Sequence, residues 1–208
     1  MDATHEVFNQ PEPLADYNLF DANRPLRDAL EFNAPQLQLA PLEHLGDVLG
    51  SREMQVHARL ANTHPPVLHT HDRFGNRIDE VEFHPAWHEL MQLGITHGTH
   101  SLPWTSNKAG AHAARAALMM ISHQVEEGHS CPITMSFAVV PSLRIQPELA
   151  SEWEPRVLSN EYDPRFIPAQ DAKAFEEVVW PPPPERPPAV PAPQAAIDLR
   201  NRLRAAWR

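Results

Sequence analysis

The chain has 208 residues, 42% of them apolar, enough for one ordinary domain with a tail, and wholesale disorder is excluded. Acidic residues outnumber basic ones 27 to 17, a formal charge of −10, which repels phosphate backbones and argues against nucleic-acid binding by this chain alone. The single cysteine, Cys131, excludes an intramolecular disulfide framework and a four-thiolate zinc site, and it fits a reducing, cytoplasmic compartment.

In chain order, the first stretch is VFNQPEPLADYNLFDANRPL (7–26), broken by Pro11, Pro13 and Pro25. It reads as an extended N-terminal arm over residues 1–24, with Phe8, Leu14, Tyr17, Leu19 and Phe20 laid on something apolar. The start lacks the basic residues and apolar run of a signal peptide, and no segment approaches the roughly 20 apolar residues that cross a bilayer. A soluble protein without a membrane partner is expected.

Helical patterns follow over 25–32, with Pro25 in the first turn, and over 41–49, where Leu42, Leu45, Val48 and Leu49 share a face and Gly50 ends the run. Ser51 is placed to cap the next helix, REMQVHARLAN. Pro65-Pro66 breaks that pattern, and DRFGNR (72–77) reads as a turn around Gly75, giving at most one short hairpin near 72–83. Helices resume over 84–97, 106–127 and 131–146. The second is alanine-rich and closed by Gly128. The third is apolar nearly all round, which predicts burial on more than one side, with a kink at Pro141.

After Gln170 the composition shifts. WPPPPERPPAVPAP (180–193) is a polyproline-type spacer, and QAAIDLRNRLRAAWR reads as a short basic amphipathic helix. Pro181-x-x-Pro184 near Arg186 could serve a proline-binding groove, but proline density alone specifies no partner, so a linker is the favoured reading.

The chemistry begins with HPAWHELMQLGITHG (84–98). His84 and His88 stand four apart, on one face of a helix, as two zinc ligands would. Zinc-protease helices run His-Glu-x-x-His, however, and here Glu89 stands outside the histidine pair. His64, His69, His71, His97 and His100 could add ligands in three dimensions, which keeps a His-rich metal hydrolase as an alternative. The 13 histidines show no recurring ligand spacing, and structural or surface roles are favoured. Cys131 precedes Pro132 at a helix start, but no base can be paired with it, so it reads as a small apolar residue. With seven glycines and no Gly-x-Ser-x-Gly or Gly-x-Gly-x-x-Gly, neither a nucleophile elbow nor a glycine-rich nucleotide loop is present.

Six phrases fit together in order: VFNQPEPL (7–14), NLF (18–20), RLAN with PP (59–66), VEFHPAWHELM (81–91), ARAALMMISHQVEEGHSCPITMSFA (114–138) and LSNEYDPRFIP (158–168). They resemble the N-terminal region of the AidB-type branch of the acyl-CoA dehydrogenase flavoproteins, tied to the adaptive response to DNA alkylation. The resemblance covers about residues 5–170. It implies an all-α acyl-CoA dehydrogenase N-terminal domain over 25–170, with Phe83 and Trp87 anchoring a helix start and His84 and His88 structural. It further implies a three-part homo-oligomeric enzyme in which FAD lies between a β-domain and a C-terminal bundle. A glutamate from the bundle removes the α-proton of an acyl-CoA, and flavin N5 accepts the β-hydrogen as hydride. In that family DNA affinity belongs to the C-terminal part.

The resemblance stops near Ala169-Gln170, before the flavin loop and the catalytic glutamate of the family. Residues 171–208 are therefore expected to be a non-family linker and short helix, from a truncated or frame-shifted coding region. No residue here is assigned as catalytic base, FAD ligand or metal ligand. The chain alone is expected to bind no FAD, to be inactive, and to self-associate through apolar surface around 131–146. Thr134, Met135, Phe137 and Ala138 are the candidates to face an acyl chain or flavin. A rival reading is a helical interaction or oligomerisation module working through the arm 7–20.

Overall fold

The computed structural model describes residues 4–167 and the pair 175–176. The expected proline-rich spacer and basic helix lie outside the described residues. Helices dominate, as the sequence predicts.

The first departure comes at the arm. Asn18 accepts hydrogen bonds from the Phe20 and Asp21 amides, both at 2.9 Å, and so caps a single helical turn, α1 (Leu19–Ala22). Asn23 repeats the device for α2 (Arg24–Asn33), accepting from the Leu26 amide at 3.2 Å with Pro25 in the first turn. Leu19 and Phe20 are buried within the core, whereas Val7, Phe8 and Leu14 stand in solvent, Phe8 at 86% exposure. The stretch expected to be uniformly extended is thus an exposed arm up to about residue 15 and a core element from Tyr17 onward.

Next come α3 (Ala40–Gly50) and α4 (Arg52–Thr63), joined through one residue. The Ser51 hydroxyl donates to the Val48 carbonyl at 2.7 Å and accepts from the Met54 amide at 3.2 Å, closing one helix and opening the next as expected. Residues 16–20 cross α3 at Gly46 and Gly50. A Cβ on Gly50 would overlap the Tyr17 carbonyl oxygen, and one on Gly46 would lie 2.8 Å from the Phe20 amide nitrogen. The Asp16 amide donates to the Gly50 carbonyl at 2.7 Å, and the Asn18 side-chain amide donates to the Glu43 carbonyl at 2.9 Å.

A hairpin interrupts the helices. Strands β1 (Val67–His71) and β2 (Arg77–Glu82) pair antiparallel, Leu68 opposite Val81, with an irregularity between His69 and His71. It begins five residues earlier than the sequence suggests, because VLHTH carries too little alternation to declare itself a strand. Asp72 builds the turn: its carboxylate accepts from the Phe74 and Asn76 amides at 2.8 and 2.9 Å, and Gly75 sits at φ +86°.

The remaining helices are α5 (Pro85–Thr96), α6 (Leu102–Thr105), α7 (Ala111–His123), α8 (Ser130–Leu143) and α9 (Pro147–Val157). The expected long helix over 106–127 is shortened at both ends, since Gly110 at φ +88° cannot be a helical residue. Helix α8 continues through Pro141 to Leu143. Helix α9 has no apolar periodicity to announce it, since none of its residues is buried; Pro147 stands in its first turn as Pro25 does in α2, and Pro155 lies inside it. Arg144 and Glu154 tie it to the end of α8 through a fork of contacts at 2.6–3.2 Å. Strand β3 (Tyr162–Asp163) pairs in parallel with β4 (Phe175–Glu176).

Two apolar clusters result. One joins Leu19, Phe20, Leu45 and Leu49 to Leu118 and Ile121 of α7. The other joins Ala61, Trp87, Leu90, Met91 and Ile95 to Ile133 of α8. Substituting Gly50→Ala is expected to destabilise the fold by about 2–3 kcal/mol, because the clash is with backbone. Gly75→Ala, strained only in φ with open space around it, is expected to cost about 1–2 kcal/mol. Denaturant unfolding of the two variants measures the difference.

Candidate functional site

The candidate surface is α8, and three local devices place it. At its start, the Glu126 carboxylate accepts from the Gly128 amide at 2.7 Å, the His129 amide at 3.1 Å and His129 Nδ1 at 2.7 Å. Both side chains are buried, at 9% and 3% exposure. Burial pushes the Glu126 carboxyl upward. The hydrogen bond from the His129 ring and those from the two amides together outweigh it, and hold the group down at about 2. In the first turn of α8, Ile133 packs against Gly94 of α5, where a Cβ would stand 2.6 Å from its Cδ1.

The third device is near the end. Pro141 has no N–H, so the carbonyl four residues earlier, that of Phe137, loses its helical partner. The Trp104 indole of α6 donates to that carbonyl at 2.9 Å. The same indole stacks on the Phe137 ring, centroids 5.0 Å apart. The proline expected to kink the helix thus provides an acceptor that fastens α6 to α8.

Only one side of α8 is covered. Ile133, Ser136 and Val140 are buried, while Thr134, Met135, Ala138 and Val139 are exposed, Met135 at 66%. The all-round apolar pattern predicts burial on several sides; the described residues cover one. Of the four candidate residues, Thr134, Met135 and Ala138 lie on the open side. Phe137 is half-buried at the seam with α7, between Trp104 and Arg115. Cys131 is exposed in the first turn.

The histidines of 84–98 are otherwise engaged. His84 is the N-cap of α5, its Nδ1 accepting from the Ala86 amide at 3.1 Å. That places its proton on Nε2, so binding a metal there would demand loss of this proton while Nδ1 is already committed. Its ring lies tilted against that of His64, centroids 4.8 Å apart, and His64 Nδ1 donates to the Leu60 carbonyl at 3.0 Å. His88 Nδ1 meets the Tyr162 hydroxyl at 2.6 Å, and burial lowers its pKa, with Glu89 opposing. Phe83 and Trp87 stack at 4.1 Å across the helix start, as anticipated. Among the described residues no three His, Cys, Asp or Glu side chains converge as a metal site requires.

His100 is fully buried and bonds the Ser159 carbonyl through Nε2 at 2.9 Å. Burial drives its pKa down to about 4, the Ser159 bond opposes this, and Arg115 adds to it. Sequence reasoning passes over Trp104 and Arg115. The signal for Trp104 was the proline itself, which obliges some donor to come to Phe137. Arg115 is the lone cation in an otherwise alanine-rich run, AHAARAALMM.

The fold recurs in solved structures. The apo-form of Bd2924 matches with a TM-score of 0.66 at 25% identity, over 74% of this chain and 32% of that one. Caenorhabditis elegans ACDH-11, in complex with C11-CoA, matches with a TM-score of 0.68 at 23% identity, over 77% of this chain and 29% of that one. The fold is that of the acyl-CoA dehydrogenase N-terminal helical domain. The family model described as adaptive response protein AidB N-terminal domain matches residues 9–164. A protein of Escherichia coli (strain K12), named "Putative acyl-CoA dehydrogenase AidB", is 42% identical over 167 residues, 79% of this chain and 31% of that relative. The chain belongs to the AidB N-terminal domain family, and it spans about a third of the curated relative it matches.

Two measurements test the devices that hold α8. The Glu126 stabilisation is present above pH 4.5 and lost as pH falls through 2, because its folded-state pKa is the lower one. Acid unfolding should therefore show a contribution on the order of 3 kcal/mol that Glu126→Gln abolishes. Trp104→Phe strands the Phe137 carbonyl and should cost about 1 kcal/mol beyond its packing loss. Adding Pro141→Ala supplies a helical N–H for that carbonyl, so the double-mutant cycle should show coupling of about 1 kcal/mol.

Proposed function

We propose that residues 9–164 act as the N-terminal wall of an FAD-dependent acyl-CoA dehydrogenase of the AidB type, in which the open side of α8 faces the acyl chain. The observation that carries this is the combination of Thr134, Met135 and Ala138 standing exposed on a helix held just before its start, in its first turn and near its end. A rigidly held apolar strip with no cover within its own domain is suited to line a pocket completed by other domains. Phe137 closes the seam behind the strip rather than the pocket floor. FAD and the catalytic carboxylate of the family are assigned to regions beyond residue 170, so residues 1–170 by themselves hold no flavin and dehydrogenate nothing. The link to the alkylation response, DNA contact through a C-terminal part, homo-oligomeric assembly and a cytoplasmic setting belong to the same proposal. No helix among the described residues is long and apolar enough to cross a membrane.

The test is a chimera in which residues 9–164 replace the matching segment of the Escherichia coli relative. Retained flavin absorbance and acyl-CoA oxidation are expected, with Met135→Trp or Ala138→Trp lowering kcat/KM by about tenfold or more while flavin stays bound. Unchanged turnover in both variants removes the strip from the pocket. The chain as it stands should purify colourless.

A second reading, an interaction module, is favoured by one observation: Val7, Phe8 and Leu14 project from the arm without apolar cover. Light scattering before and after deletion of residues 4–15 is expected to report loss of self-association if the arm joins copies.

A further inference from the structure

Arg115 is a half-buried cation for which no counter-ion is found among the described residues. Its guanidinium carbon lies 3.7 Å from the centre of the Phe137 ring. Nε and Nη2 are shut away from solvent and meet no acceptor, and among the described residues no carboxylate pairs with this side chain. Nη1 is not among these solvent-excluded atoms. Arg27, Arg52, Arg77, Arg144 and Arg165 each have a carboxylate within 3.1 Å. The Phe137 face attracts the charge but accepts no hydrogen bond in the plane of the guanidinium, so the N–H edge stays unanswered. Leaving a desolvated cation unpaired is costly, which makes the seam between α7 and α8 a standing source of positive potential.

The surroundings add a second donor. His112 lies one turn earlier on α7, exposed, with its ring edge-on to Phe137 and Trp104 at 6.0 Å each. Arg144, over the Trp104 ring at 5.4 Å, is already bound to Glu154. His100, the other basic group near Arg115, is held neutral by burial and committed to Ser159. Arg115 therefore carries the local charge alone, and its ring stack fixes the guanidinium before any ligand arrives, which lowers the entropy lost on binding.

We propose that Arg115, assisted by His112, forms an oxyanion-binding site at the α7–α8 seam, taking a phosphate or carboxylate oxygen at the Nη1 corner. This site is independent of the acyl strip and does not require the chain to serve a dehydrogenase. The probes are inorganic pyrophosphate and acetate, titrated calorimetrically into the full chain at constant ionic strength; the stronger of the two identifies the group.

Saturable one-to-one binding is expected. Arg115→Gln should weaken it by about tenfold or more, Arg115→Lys less, and the surface control Arg59→Gln not at all. His112→Ala, at an exposed position that leaves the fold intact, should weaken it by about threefold, and it decides the matter if Arg115→Gln does not fold. Absence of saturable binding for both anions overturns the proposal. So does binding that survives both Arg115→Gln and His112→Ala, or that falls equally in Arg59→Gln.

Discussion

The packing rests on a crossing that admits no side chain. Residues 16–20 lie so close to α3 that positions 46 and 50 must be glycine, and the backbone bond from Asp16 to the Gly50 carbonyl locks the contact. This delivers Leu19 and Phe20 to the first apolar cluster, where Leu118 and Ile121 of α7 complete it. With α7 seated, the short linker through Glu126 and His129 sets where α8 can begin. The seating of α7, and through this linker the start of α8, thus traces back to a contact made by the first twenty residues. A burial term of this kind is collective, so losing the crossing would loosen the whole unit.

How α8 is held bears on what it can do. A pocket wall must stay in place when its ligand is absent, and α8 is fixed at three heights by three kinds of interaction: a buried charge-assisted pair, an interhelical contact over Gly94, and the indole bond to Phe137. None of them uses Thr134, Met135 or Ala138. The strip can therefore vary in sequence with little effect on stability, which is the condition for tuning a binding surface separately from its scaffold. Arg115 differs: it lies in the seam itself, and its charge weighs on the fold.

The legibility of the sequence divides along physical lines. Helices with regular apolar spacing and side-chain caps, such as Ser51 before α4, were visible because cap and periodicity are local properties. The fold of the domain was visible through ordered phrases such as FHPAWHELM and CPITM. What escaped depends on distance. Helix α9 has no buried face to impose a pattern, and α1 looked extended because prolines on both sides mask the Asn18 cap. The one-sided cover of α8 cannot be read from an apolar run, since composition does not say how many neighbours arrive. His84 and His88 showed metal spacing, yet their rings are occupied by a helix cap and by Tyr162, 74 residues away along the chain. The Arg115–Phe137 pair, 22 positions apart, joins two helices and leaves no local mark.

Pro141 has one more implication. By freeing a carbonyl that a tryptophan from another helix answers, it makes the indole of α6 sensitive to whether the final turns of α8 are seated. Anything that slides or tilts α8 must stretch that bond and change the polarity felt by the ring. The domain thus contains its own optical gauge, in which the emission of Trp104, read with the chain's other four tryptophans replaced, reports the posture of the wall.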